Sequence, residues 1–343
     1  MKRFFVLVLV VLLLIAGAAA GAPAAAAEQP ARESAAVSLA TVEPLLREYS
    51  LDMKTALNTL DQARADYRDK KEWGEATQAD RDAMEAAELT YRDTTRKLIV
   101  SAKRQYLEYC AASSQFSADR AAAENARARL DAAAGRLQKG YVSQSAYDAA
   151  LENYQRLQAA ADAQDAELTR GRKALRTLLN LPDGVSMDVQ RPADSEFDFS
   201  AIPSLKYEED VIAVRRENAA IQKDSMNYAT VRKDIASSDR DVENAQIRLT
   251  QTESSQTAAF RSLYDGLVQS YATYRQECDQ AARRQREADA EARQLAAGYI
   301  SRVKYEDTVT DLQSLQCRRE ADRNSLYISL LQYLDMKDGV SAP

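Results

Sequence analysis

Apolar side chains recur along two long stretches of the chain at alternating steps of four and three, with charged and amide residues filling the gaps. Ala126, Leu130, Ala133 and Leu137 follow this rule, and Tyr147, Leu151, Tyr154, Gln158, Ala161 and Leu168 continue the stripe after a break at Gly140-Tyr141-Val142-Ser143. Such spacing keeps one narrow face of a helix against a partner helix, as in a coiled coil. The many small Ala residues let the two backbones approach closely. Gly140 suits the left-handed position just past a helix end, and Ser143 is placed to cap the next helix start. The pattern predicts a long helix, a tight tip and a second long helix running back.

The same pattern occurs again 158 residues later. Gly140 to Tyr147 lines up with Gly298-Tyr299-Ile300-Ser301 and on to Tyr305. Leu137 meets Leu295, Tyr106 meets Tyr264, Leu151 meets Val309, and Gln158 meets Gln316. Each copy closes on a leucine-rich end and an Asp-Gly pair, Asp183-Gly184 and Asp338-Gly339. An internal repeat of this length fixes the architecture before any single residue does. A second, polar turn occurs in each copy, between an ascending and a long descending helix: Lys70 to Asp80 with Trp73-Gly74, and Ala236-Ser237-Ser238, which aligns Asp80-Arg81-Asp82 with Asp239-Arg240-Asp241. Residues 81–139 alone, as one helix, span about 88 Å at 1.5 Å per residue. Pro182, Pro192, Pro203 and several β-formers mark the stretch between copies as a linker. The fold class expected is all-α, two repeats of long antiparallel coiled-coil hairpins. Residues 28–184 form the first repeat, 185–204 the linker and 205–343 the second repeat.

Composition supports this plan. Gly (10) and Pro (7) are scarce in 343 residues, and helix formers dominate. With 7% aromatic residues, mostly Tyr, a thin core between paired helices fits better than one thick globule; the 17 Tyr read first as stripe packing.

The front of the chain is a different material. Lys2 and Arg3 precede an apolar run from Phe4 to Ile15, and Ala24 to Ala27 close it before Glu28. This is the layout of a cleaved secretory signal peptide over residues 1–27. An uncleaved anchor is the competing reading, but the apolar core is shorter than the roughly 20 residues that a helical span needs. Cleavage removes two positive charges and takes the net charge from −6 to −8. An acidic chain without a basic stripe argues against nucleic acid as a partner.

Chemistry is thinly represented. The chain has no His, which removes the commonest general base and metal ligand, so no catalytic residues, metal or cofactor are expected and the chain does not read as an enzyme. Cys110, Cys278 and Cys317 form no framework and no CxxC pair, and are most simply small buried apolar residues. The Arg283-Arg284-x-Arg286 cluster sits on an acid-rich helix and reads as a solvated face.

Arg136-Leu137-x-x-Gly140-Tyr141-Val142-Ser143, followed by Tyr147, Ala150, Leu175 and Leu178-Leu179-Asn180-Leu181, resembles the TolC-like outer membrane efflux proteins. Leu295-x-x-Gly298-Tyr299-Ile300-Ser301, followed by Tyr305, Leu330 and Leu334, resembles the second repeat of the same family. The resemblance implies an exported cell-envelope protein, a homotrimer in which six hairpins form a hollow α-barrel. Its tips would open toward an inner-membrane transporter and meet the hairpins of a periplasmic adaptor, or membrane fusion, protein. The docking residues implied are Leu137, Gly140, Tyr141, Val142 and Ser143, with Leu295, Gly298, Tyr299, Ile300 and Ser301. Carboxylates beyond the second tip often narrow the lumen in this family; Glu306 and Asp307 are the matching candidates, whereas Lys304 replaces a carboxylate found in some relatives. One departure is larger. Membrane strands need about 9–11 residues of apolar alternation, and neither polar turn has them. The chain therefore reads as a barrel-less relative that does not cross an outer membrane alone. The competing functional class is a non-conducting coiled-coil scaffold or spacer of the cell envelope.

Overall fold

The computed structural model describes residues 34–182, 184–234 and 236–342. The expected signal peptide and Asp183 lie outside the described residues. In chain order the elements are β1 (Ser34–Val37), α1 (Val42–Tyr49), α2 (Leu51–Glu72), α3 (Gln78–Gln138), α4 (Gln144–Leu178), β2 (Ser186–Val189), α5 (Tyr207–Glu217), α6 (Ala219–Lys233), α7 (Asp239–Ala296) and α8 (Arg302–Lys337). Helices dominate, and no closed barrel occurs among the described residues. No helix among them is long and apolar enough to cross a membrane.

The two copies share one plan. A short helix (α1, α5) leads through a polar cap (Ser50, Asn218) into an ascending helix (α2, α6). A polar turn then starts a very long helix (α3 of 61 residues, α7 of 58), which runs to a tip and returns as α4 or α8. Both long helices open on the same device, a capping box. Thr77 and Ser238 each accept a backbone N–H three residues on, and Asp80 and Asp241 reach back to the capping residue. The boxes match Asp80 with Asp241. The Asp-Arg-Asp alignment of the sequence is thus two residues out of step with the backbone, because the serine or threonine cap sets the helix start.

Antiparallel α3 and α8 join the copies side by side, as contacts from Arg129–Asp307 through Ser114–Glu320 to Arg96–Asp335 show. In the half away from the tips, α6 lies against α3 instead, with Thr230 donating to Asp82 at 3.0 Å.

The chain is not wholly helical. β1 and β2 pair as a two-stranded parallel sheet, Ser34 opposite Ser186 and Val37 opposite Val189. With α1, α5 and two 3₁₀ turns (Asp194–Glu196, Ile202–Ser204) they form a belt around the middle of the long helices. The core lies under this belt. One cluster gathers Val37, Leu46, Tyr106, Leu107, Leu175, Leu179 and Phe197; the other gathers Val214, Phe260, Leu267, Leu326, Leu330 and Tyr333. Phe260 stacks on Tyr333 at 4.8 Å between ring centres, and the Tyr333 hydroxyl donates to buried Asp210, which Lys337 neutralises at 2.6 Å. Away from the belt the hairpins hold only thin seams, in which most of the stripe positions are half-buried.

Candidate docking tips and the charged seam behind them

Both tips are built by the same hydrogen bonds. In the first, Gly140 N–H donates to Leu137 O and Tyr141 N–H to Arg136 O, each at 2.9 Å. In the second, Gly298 N–H donates to Leu295 O at 3.0 Å and Tyr299 N–H to Gln294 O at 2.8 Å. This paired pattern ends a helix with a left-handed residue, and Gly140 and Gly298 have φ of 71° and 77°. Ser143 and Ser301 then cap α4 and α8, accepting from Ala146 N–H at 3.3 Å and Lys304 N–H at 3.2 Å.

The side chains match as well. Leu137 and Leu295 are half-buried in the seams, as are Val142 and Ile300, while Gly140, Ser143, Gly298 and Ser301 are exposed. Tyr141 and Tyr299 point away from both hairpins, 76% and 83% exposed. A Cβ added at either tip glycine would meet nothing within 4 Å. The two tips lie at one end of the molecule, because Arg129, eleven residues before Gly140, pairs with Asp307, nine residues after Gly298, at 2.8 Å.

Glu306 and Asp307 sit at the α3/α8 seam. Arg129 reaches Glu306 at 3.5 Å besides Asp307, and Arg302 adds a 2.7 Å contact to Glu306. Lys304 turns the other way, toward buried Glu291 on α7 at 3.3 Å. Thr308 and Lys304 hold the Glu291 carboxyl below its ordinary range by hydrogen bonding and charge.

Sequence reasoning passed over the residues behind the tips. Glu277, Arg284 and Glu291 recur every seven residues on the face of α7 that meets α8. Arg284 pairs with Asp311 across the seam and Glu287 on its own helix, so this member of the basic cluster is an interface residue. Glu277 lies 3.9 Å from Arg318. The signal that could have found them is the heptad itself: Arg284 and Glu291 fall where the first hairpin carries Ala126 and Ala133. Cys110 is buried in the core and Cys278 and Cys317 are half-buried and free; burial pushes the Cys110 thiol up to about 11. Among the described residues no cluster of three or more metal-ligating side chains occurs.

No protein-family profile matches the chain, and no curated protein matches it in sequence. Solved structures do match it in shape. The Campylobacter jejuni CmeC outer membrane channel aligns with a TM-score of 0.64 at 12% identity, over 89% of this chain and 86% of its own. The outer membrane protein VceC of Vibrio cholerae gives 0.62 at 11% identity, over 88% and 96%. The fold is TolC-like. The open state of the Neisseria gonorrhoeae MtrE outer membrane channel agrees, at 0.60 and 12% identity over 88% and 89%. These TolC-like neighbours are channels or outer membrane proteins by description, not enzymes. At such identities the likeness concerns the path of the backbone, and the chemistry of the tips stands on this chain's own residues.

Proposed function

We propose that this chain is the protomer of a TolC-like efflux or secretion duct of the cell envelope. In this reading three copies close a hollow helical barrel, and the tips receive the helical hairpins of a periplasmic adaptor that serves an inner-membrane transporter. The observation that carries it is the pair of tips: two copies of one turn, side by side at one end, each presenting a tyrosine to solvent. Exposed aromatic residues on a rigid, preformed turn are what a docking surface uses, since they bury large area at little entropic cost. Leu137, Val142, Leu295 and Ile300 support them from the seam, and Gly140, Ser143, Gly298 and Ser301 set the backbone. Ring closure is supported by bare apolar side chains along the flanks, among them Leu57 on α2 with Ile247 and Val268 on α7.

Light scattering on the mature protein tests the assembly: the duct predicts a mass three times that of the protomer, and a clean monomer at high concentration overturns it. Docking is tested at the tips. Tyr141→Ser with Tyr299→Ser should abolish capture of an adaptor hairpin protein encoded beside this chain while leaving helicity by circular dichroism intact. Unchanged capture removes the tips from the mechanism.

The far end favours a second reading. There the hairpins close in short polar turns, at 73–77 and through Ser237 and Ser238, held by capping boxes, and a spacer that conducts nothing needs no more. It predicts monomers or dimers, so the same mass measurement separates the two readings.

A further inference from the structure

Glu277 is 9% exposed, and its Oε2 is buried without any hydrogen-bond donor. What faces it across the α7/α8 seam is a second carboxyl, Asp322, within hydrogen-bonding reach. The nearest cation, Arg318, is 3.9 Å away and its side chain is largely in solvent. Two carboxylates meeting in a buried seam repel unless a proton lies between them. We propose that Glu277 and Asp322 form a proton-operated clasp: one shared proton closes the second hairpin at this level, and its loss loosens α8 from α7 on the tip side.

The surroundings make the pair the deciding feature there. From α8, the charged groups acting on Glu277 are Asp322 and Arg318. α5 and α6 lie further along α7, at Arg248 to Tyr264. The linker reaches α7 through Phe199 on Tyr274, and its Asp194 is held by Arg319 and Arg323. On α7 itself, Tyr274 and Cys278 face one another one turn apart. Toward the tip, α8 is fastened by Arg284–Asp311 and Lys304–Glu291 to α7 and by Arg129–Asp307 to α3, with only a thin apolar seam of Ala281, Ala288 and Leu312 between these pairs. Loss of the clasp therefore works against small seam residues that belong to neither core cluster.

Burial, followed by Asp322, raises the Glu277 carboxyl to about 7. The closed seam then holds a proton that an opened seam, with its carboxyls in water, would release. Between the ordinary glutamate range and about 7, closure strengthens as pH falls; above about 7 that contribution is lost. The first hairpin, seamed by Ala123, Ala126 and Ala161, carries Asp119 and Gln164 at the equivalent positions and serves as an internal control.

The test is hydrogen exchange by mass spectrometry on the mature protein, corrected for the intrinsic pH dependence of exchange. Residues 274–291 and 311–322 should open roughly tenfold more readily at about pH 8 than at about pH 5.5, the ratio that one pK unit of coupling gives. Residues 126–137 and 147–161 should not change. Glu277→Gln keeps the size of the side chain and supplies the donor permanently, so it should hold the seam closed at both pH values. Asp322→Asn removes the repulsion from the other side and should also flatten the response. A wild-type protein with equal corrected exchange at both pH values overturns the clasp, and so does a response that survives both substitutions. The measurement reads the chain's own helices, so its outcome is independent of whether the tips dock to any partner.

Discussion

At Gly339 the backbone has φ of 97°, and a Cβ there would stand 2.3 Å from the Glu217 carbonyl oxygen and 2.7 Å from the Arg92 guanidinium. The contact is structural: Gly339 O accepts from Ala219 N–H at 2.8 Å, which ties the end of α8 to the start of α6. Gly140 and Gly298 share the left-handed backbone but have open space around them. Alanine at a tip should therefore cost only the left-handed penalty, about 1–2 kcal/mol. At position 339 it must also displace backbone, and Gly339→Ala should cost about 3 kcal/mol or more. Urea denaturation of the three single variants checks the order; equal losses at all three positions would show that the joint at Gly339 has room to give. The contrast matters for function, because substitutions at the tips can probe docking without unfolding the protein.

At the scale of the element, the helix ends were legible and the seams only partly so. Gly140, Ser143, Gly298 and Ser301 act through bonds within three or five residues, so their types at that spacing announce the turns. The capping box at Thr77 is equally local, and Thr77→Ala should lower stability by about 1 kcal/mol, read as a fall in the thermal midpoint. The pairing of α3 with α8 was not legible, because Arg129 and Asp307 are 178 positions apart and nothing near either names the other. Arg284 looked like part of a solvated basic cluster for the same reason: its partner Asp311 lies beyond the tip. The second seam carries Arg284 and Glu291 where the first carries Ala126 and Ala133, and this gives a prediction. Raising sodium chloride to about 1 M shortens the screening length to about 3 Å. Exchange at residues 302–318 of α8 should then speed up relative to residues 144–160 of α4. A parallel response of the two segments would mean that the ion pairs contribute nothing to holding α8.

On the scale of the whole molecule, apolar burial is concentrated at one level. The belt joins Ser34–Val37 to Ser186–Val189, segments some 150 residues apart in sequence that form four-residue strands too short to stand out. That is why the linker's β-formers could be noticed while their partner could not. Tyr106 donates to Gln190 O, Asn324 donates to Leu107 O at 3.1 Å, and Arg323 stacks on Phe197 at 4.1 Å while holding Asp194. These contacts lock linker, α3 and α8 to one another. Beyond the belt the long helices have one or two neighbours and half-buried stripes, and local opening is easiest where buried apolar contacts are fewest. Protection against exchange should thus peak at residues 99–110 of α3 and 326–336 of α8 and decline steadily toward Gly140 and Gly298. Asp194→Ala should flatten the gradient by weakening the belt, since it removes the half-exposed linker carboxylate from the buried Arg323, which keeps Glu320 and Asn324, a loss of about 1 kcal/mol. Uniform protection along α3 would contradict a belt-centred core. A gradient with its maximum at the tips would instead place the main stabilising contacts between copies, at the end proposed to dock.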